Sequence, residues 1–213
     1  MRFEELLRVV GSEPLFETGL LLAGDVDASD VRRQLSRWTA AGKVWQLRRG
    51  LYAIAPPFGK MQPHPFLTAN GLARASYVSL QSALAYCGLI PEGVPVTTSV
   101  TTGRGRIWRT PIGTYQFRHL HVGLFHGYRA VAVDDLRVAY VATPEKALLD
   151  LVHLEPGGDS PAYLEGLRLQ HMERLDGDAL VALAARSGSP KLRRAAACLT
   201  EMAGHRAGEY ERL

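Results

Sequence analysis

The chain has 213 residues, 46% hydrophobic and 22% charged, with a net charge of +4. That composition describes a globular protein with enough apolar content to close one large core or two small ones. No apolar run approaches the roughly 18 residues of a membrane span, and the Met1-Arg2-Phe3-Glu4-Glu5 start lacks the basic-then-apolar order of a signal peptide, so a cytoplasmic protein with no membrane partner is expected. Cys87 and Cys198 lie in apolar surroundings and match no metal spacing. Both are expected to be reduced core residues, which excludes a disulfide scaffold and a zinc finger.

The first 56 residues read as three helices and a hairpin. Phe3, Leu6, Leu7 and Val10 form one apolar face of a helix over about 2–10, and Gly11 ends it. Pro14 suits a first helical turn, so Leu15–Leu22 is expected as a second helix, stopped at Ala23-Gly24-Asp25. A third helix starts at a cap on Asp27 or Ser29 and buries Val31, Leu35 and Trp38. At 100° per residue, Ser29, Arg33, Ser36 and Ala40 point away from that stripe, with Arg32 and Arg37 on its flanks. Gly42 ends this helix. Lys43–Leu47 then alternates as a strand, Arg48-Arg49-Gly50 makes a turn, Leu51–Ile54 returns, and Pro56-Pro57 opens a linker over 57–65.

Three helices and a two-stranded wing, with cations on the third helix and the wing tip, is the layout of a winged helix-turn-helix. Residues 28–54 hold Arg32, Arg33, Arg37, Lys43, Arg48 and Arg49 against Asp30 alone. Such a third helix fits the major groove, where arginine bonds guanine edges, while wing arginines reach phosphate or the minor groove. Ser29, Arg32, Arg33, Ser36, Arg37, Arg48 and Arg49 are therefore the candidate DNA-binding residues. The alternative is a solvated helix with scattered arginines, against which the wing turn independently repeats the charge.

From 66 to 213 the pattern is that of a second, α+β domain with a helical C-terminus. Helices are expected over 66–74 and 79–88, the latter with Ala83, Leu84 and Cys87 inward, and strands over 94–102, 106–109, 113–120, 129–133 and 137–142. Thr143 can cap the next helix with Pro144 at its first position, and Lys146 and Asp150, four apart, can pair. Residues 93–133 carry five arginines and no acid. Arg104, Arg106, Arg109, Arg118, His119, His121 and Arg129, with Trp108, Tyr115 and Phe117 between them, predict a basic sheet surface suited to phosphates, a nucleotide or an acidic protein, or else a solvated face. Arg104, Arg106, Arg109 and Lys146 are the candidate partner-binding residues.

Enzyme readings find little support. Gly103-Arg104-Gly105 lacks the helix and lysine of a phosphate loop. His119 and His121, with His126 nearby, have no carboxylate or cysteine in the same segment, so no metal is expected. Ala41, Phe58, Pro144 and Ser189 stand two positions before the four lysines, so the Asp-x-Lys or Glu-x-Lys of a common nuclease core is absent. No Gly-x-Ser-x-Gly elbow occurs. A non-enzyme without cofactors is expected.

Arg37-Trp38 through Ala41-Gly42-Lys43-Val44, followed by Leu47-Arg48-Arg49-Gly50-Leu51-Tyr52, resembles the N-terminal winged helix of the AbiEi-type antitoxins, transcriptional regulators of type IV toxin-antitoxin pairs. Tyr77-Val78-Ser79-Leu80-Gln81-Ser82-Ala83-Leu84 and Val141-Ala142-Thr143-Pro144-Glu145-Lys146-Ala147-Leu148-Leu149-Asp150 are similar to the two recurring blocks of that family's second domain. The likeness covers about 1–155; residues 156–213 match no block. It implies repression of the protein's own operon through inverted repeats in double-stranded operator DNA, where a homodimer would fit, and opposition to a nucleotidyltransferase-like toxin. The competing expectations are a winged helix that targets a C-terminal RNA-binding or enzymatic domain, and a solitary regulator.

Overall fold

The computed structural model describes residues 1–23, 26–91, 93 and 95–210, with 205–210 as backbone only. The chain is mixed α+β. Helix α1 (Phe3–Val10) buries Phe3, Leu6 and Val10, and Gly11 follows at φ +60. The expected helix Leu15–Leu22 does not form. Its residues make a short strand, β1 (Phe16–Glu17), and a 3-10 turn, Thr18–Leu22. Phe16 pairs with Tyr52 and stacks on its ring at 5.6 Å, and the Thr18 amide donates to the Gly50 carbonyl at 3.0 Å. Pairing to the hairpin thus overrides local helix preference. The expected stop at Gly24-Asp25 lies outside the described residues.

Helix α2 (Ala28–Ala40) starts where the Asp27 carboxylate accepts the Ser29 amide at 2.6 Å, and it buries Val31, Leu35 and Trp38. Gly42 sits at φ +68, a backbone state that favours glycine after a helix. Strands β2 (Val44–Arg48) and β3 (Leu51–Ile54) complete a sheet of order β1-β3-β2. Leu6, Val10, Leu21, Val31, Leu35 and Trp38 belong to one apolar cluster under this sheet. Leu47, Leu51 and Ala53 instead join the larger cluster formed by the rest of the chain.

Helix α3 (Pro65–Leu72), capped by His64, leads to strand β4 (Ser76–Val78) and helix α4 (Leu80–Tyr86). The sequence reading has no strand between the two helices, whereas β4 is a junction of the second sheet, antiparallel to β5 (Val96–Thr101) and parallel to β9 (Val138–Ala142). With β6 (Arg106–Thr110), β7 (Gly113–His119) and β8 (Tyr128–Ala132) the order is β6-β7-β5-β4-β9-β8. The expected start of β5 at Val94 lies outside the described residues. Helices α5 (Pro144–Leu154), α6 (Pro161–Gly166), α7 (Gly177–Arg186) and α8 (Pro190–Tyr210) follow, and α5 packs against α4, α7 and α8.

Thr143 caps α5 by accepting the Lys146 amide at 3.3 Å. Lys146 is not a surface cation: it is 4% exposed and pairs with Asp150, itself 1% exposed. This removes it from the candidate partner-binding residues. The Asp150 carboxylate also accepts the Tyr77 hydroxyl at 2.9 Å and the Ser79 hydroxyl at 2.8 Å. Burial and the neighbouring Asp150 push the Tyr77 phenol far above its ordinary range, so it remains an O–H donor. The sequence blocks 77–84 and 141–150 therefore meet at one carboxylate.

His126 lies beside this centre with both ring nitrogens buried and no hydrogen-bond partner among the described residues. Burial first, then the Lys146 and Arg186 cations, hold its pKa below the ordinary 6.5. Two consequences can be measured. Asp150→Ala leaves the Lys146 ammonium uncompensated and should cost about 3–5 kcal/mol in urea denaturation, whereas replacing both residues by apolar ones of similar size should recover most of that loss. A full loss in the double variant would mean that the pair itself, and not the orphaned charge, is what matters. Because folded His126 binds its proton more weakly than the unfolded chain does, the unfolded state takes up more protons on acidification. Stability should accordingly fall as pH drops below about 6.5, and His126→Leu should flatten that fall. Equal pH dependence in wild type and variant would show that His126 contributes none of it.

Candidate nucleic-acid interface

Helix α2 and the β2–β3 hairpin face each other across a groove of about 830 Å³. Arg32, Ser36, Thr39 and Ala40 line it from the helix, Gln46, Arg49, Gly50 and Tyr52 from the hairpin, and Thr18 and Leu22 from the 3-10 turn. The arrangement follows from local rules. Val31, Leu35 and Trp38 turn one side of α2 inward, which forces the other side out, and Gly50 at φ +83 closes the hairpin beneath Arg49. Among the described residues, no carboxylate lines the groove.

The seven sequence candidates divide into three groups. Arg32, Ser36 and Arg49 meet in the groove. Ser29, Arg33 and Arg37 are exposed on α2 outside it, and Arg33 pairs with Asp30, its neighbour one turn earlier, where both side chains are more than 60% exposed. That exposed pair holds little energy and leaves Arg33 available. Arg48 belongs to neither group. Its side chain turns to α3, where Nε and Nη2 donate to the Gly71 carbonyl at 3.2 and 3.1 Å. Sequence reasoning missed Thr18, Thr39 and Gln46 as lining residues; the charge pattern that found the arginines gives no signal for uncharged ones.

The basic stretch of the second sheet is less continuous than expected. Arg104, Arg106 and Arg109 are exposed near the β6 edge. Alternation along the strand puts Arg106 and Trp108 on one face, the guanidinium 4.9 Å from the ring, and Arg109 on the other with Ile107. Arg106 and Trp108 line a small groove of about 180 Å³ with Arg104, Thr101, Leu72 and Phe117. Tyr115 and Phe117 are buried, and Arg118 donates to the Leu154 carbonyl at 2.9 Å. Arg129 lies on β8, at the opposite edge of the sheet. His119 Nδ1 lies 2.9 Å from the Gly103 carbonyl, and His121 Nδ1 accepts the Gly123 amide at 3.1 Å, so the two rings serve separate loops.

Helix and hairpin together present cations from two elements into one concavity, which can bind a polyanion wider than a single phosphate. Cys87 and Cys198 are free thiols, each half-buried, and burial pushes the Cys87 thiol up, away from nucleophilic reactivity. No helix among the described residues is long and apolar enough to cross a membrane. No protein-family model and no curated protein matches the chain.

Proposed function

We propose that this protein is a DNA-binding transcriptional repressor whose N-terminal part works as a winged helix, with α2 as the recognition helix and the β2–β3 hairpin as the wing. The groove lined by Arg32, Ser36 and Arg49 carries the reading, because it opposes cations from helix and hairpin with no carboxylate among its described lining residues. On this reading Arg33 and Arg37 reach base edges, while Arg49 anchors phosphate. The family resemblance of the three sequence blocks adds the second half of the proposal: the protein represses its own operon and opposes a nucleotidyltransferase-like toxin, with the exposed β6 edge contributing through Arg104 and Arg106 on one face and Arg109 on the other.

Footprinting over the protein's own promoter tests the first half. With about 4–6 phosphate contacts, affinity should fall about two to three decades between roughly 50 and 200 mM salt. Arg33→Ala or Arg37→Ala should cost about 1–3 kcal/mol at the operator and relax sequence preference, while Arg49→Ala should weaken all duplexes alike. No protection at low salt would end the DNA reading. A growth-rescue assay with the toxin induced tests the second half. Wild type should restore growth, and a folded variant with glutamate at 104, 106 and 109 should not. Full rescue by that variant would remove the β6 edge from the mechanism, and no rescue by wild type would remove the antitoxin role.

A further inference from the structure

We infer that Arg48 is a positioning residue that ties the wing to the second half of the chain, so that the part from α3 onward sets the angle at which Arg49 meets DNA. The inference rests on the DNA reading above and gives Arg48 a role opposite to that of its neighbour.

The side chain of Arg48 is 22% exposed, whereas Arg49 is exposed and lines the groove. Between Gln46 and Arg48 the register of the hairpin shifts, and a break of this kind in the pairing re-aims the side chain beside it. The guanidinium then uses its donors inside the protein. Nε and Nη2 both bond the Gly71 carbonyl, Nη1 donates to the Arg49 carbonyl at 3.0 Å, and Nη2 reaches Glu17 at 3.4 Å. The Gly71 carbonyl is in the last turn of α3, where carbonyls lack helical partners and the helix dipole favours a cation. Glu17 in turn pairs with Arg74, just beyond the end of α3.

Apolar packing holds the same junction. A Cβ added at Gly71 would stand 3.3 Å from the Leu51 side chain and 3.4 Å from that of Leu15, so α3 approaches the wing closely there. One arginine thus fixes the wing tip through Arg49's own carbonyl and fixes the wing to α3 through Gly71. Little of its hydrogen-bonding capacity is left for a phosphate.

The experiment uses the full chain, a mixed-sequence duplex and four proteins: wild type, Arg48→Ala, Arg48→Lys and Arg49→Ala. The slope of log affinity against log salt counts phosphate contacts, and Arg49→Ala should make it shallower by about 0.9. Arg48→Ala should keep the wild-type slope while lowering affinity several-fold at every salt concentration. Lysine keeps the charge but not the fork, so Arg48→Lys should resemble Arg48→Ala. Without DNA, hydrogen exchange over residues 44–54 and 66–74 should quicken in both Arg48 variants and stay unchanged in Arg49→Ala. A slope lowered in Arg48→Ala and restored in Arg48→Lys would make Arg48 a phosphate ligand and overturn the proposal, as would unchanged exchange in both Arg48 variants. If wild type binds no duplex, the DNA reading fails and the role of the tether in DNA binding fails with it. The exchange measurement, made without DNA, still decides whether the tether itself exists.

Discussion

The Asp150 carboxylate is the constraint on which the arrangement of the larger sheet depends. A carboxylate 1% exposed is tolerated only when its lone pairs are satisfied, and Lys146, Tyr77 and Ser79 satisfy them. Two of these donors lie on or beside β4, and the third is one turn earlier on α5, so the charge ties a three-residue strand to a helix. The network continues outward. The Thr98 hydroxyl donates to the Ser79 carbonyl at 2.8 Å, the Ser82 amide donates to that hydroxyl at 3.0 Å, and the Thr98 amide donates to the Ser82 hydroxyl at 2.8 Å. Between the fixed ends of this network Leu80 is held at φ +56, a state that costs a non-glycine residue about 1–3 kcal/mol and persists only where its surroundings impose it.

From that centre a mechanical path runs to the hairpin. Helix α3 packs on β4, β5 and β9, and its last turn offers the Gly71 carbonyl to Arg48. A second clamp lies on the other side of the junction. Arg137, with its side chain 11% exposed, donates to the Ser12 carbonyl at 2.9 Å and pairs with Glu13 and Asp134. The energy of the junction resides mainly in Leu47, Leu51 and Ala53, buried in the larger cluster, since burying one leucine contributes about 1.5–3 kcal/mol and a partly exposed ion pair far less. The ion pairs give direction. They decide which way a hydrophobic contact, itself tolerant of rotation, is set.

What the sequence showed and hid follows from the range of each interaction. The buried stripe of α2, the hairpin, the Thr143 cap and the run of strands from 96 to 142 rest on local periodicity and turn chemistry, and these could be read directly. The strand β1 could not. Two residues carry no periodicity, and Leu15–Leu22 has a helix's apolar content until Tyr52, far along the chain, claims Phe16. Strand β4 was hidden for the same reason. Lys146 and Asp150 were legible as a pair because their spacing is helical, but spacing says nothing about burial, which only the packing of α5 against α4, α7 and α8 imposes. Arg48 was misplaced because the hairpin register shifts just before it, which composition does not show, and its side chain turns to the Gly71 carbonyl.

The distribution of the remaining cations argues for the kind of anion the groove suits. Arg48, Arg74, Arg137 and Arg194 each meet a carboxylate, and they sit at junctions between segments. Arg32, Arg37 and Arg49 have no ion pair among the described residues, although the chain carries nearly as many acids as bases. Arg32 and Arg49 line one concavity and Arg37 stands exposed beside it, so their like charges repel one another and a bound polyanion would relieve that repulsion. A mononucleotide presents its phosphate charge in a single short cluster. A duplex carries phosphates on either side of one groove, so α2 can enter between them while Arg49 meets the backbone beside it. That match of two separated cationic elements to two lines of phosphate is why double-stranded DNA is proposed in preference to a free nucleotide.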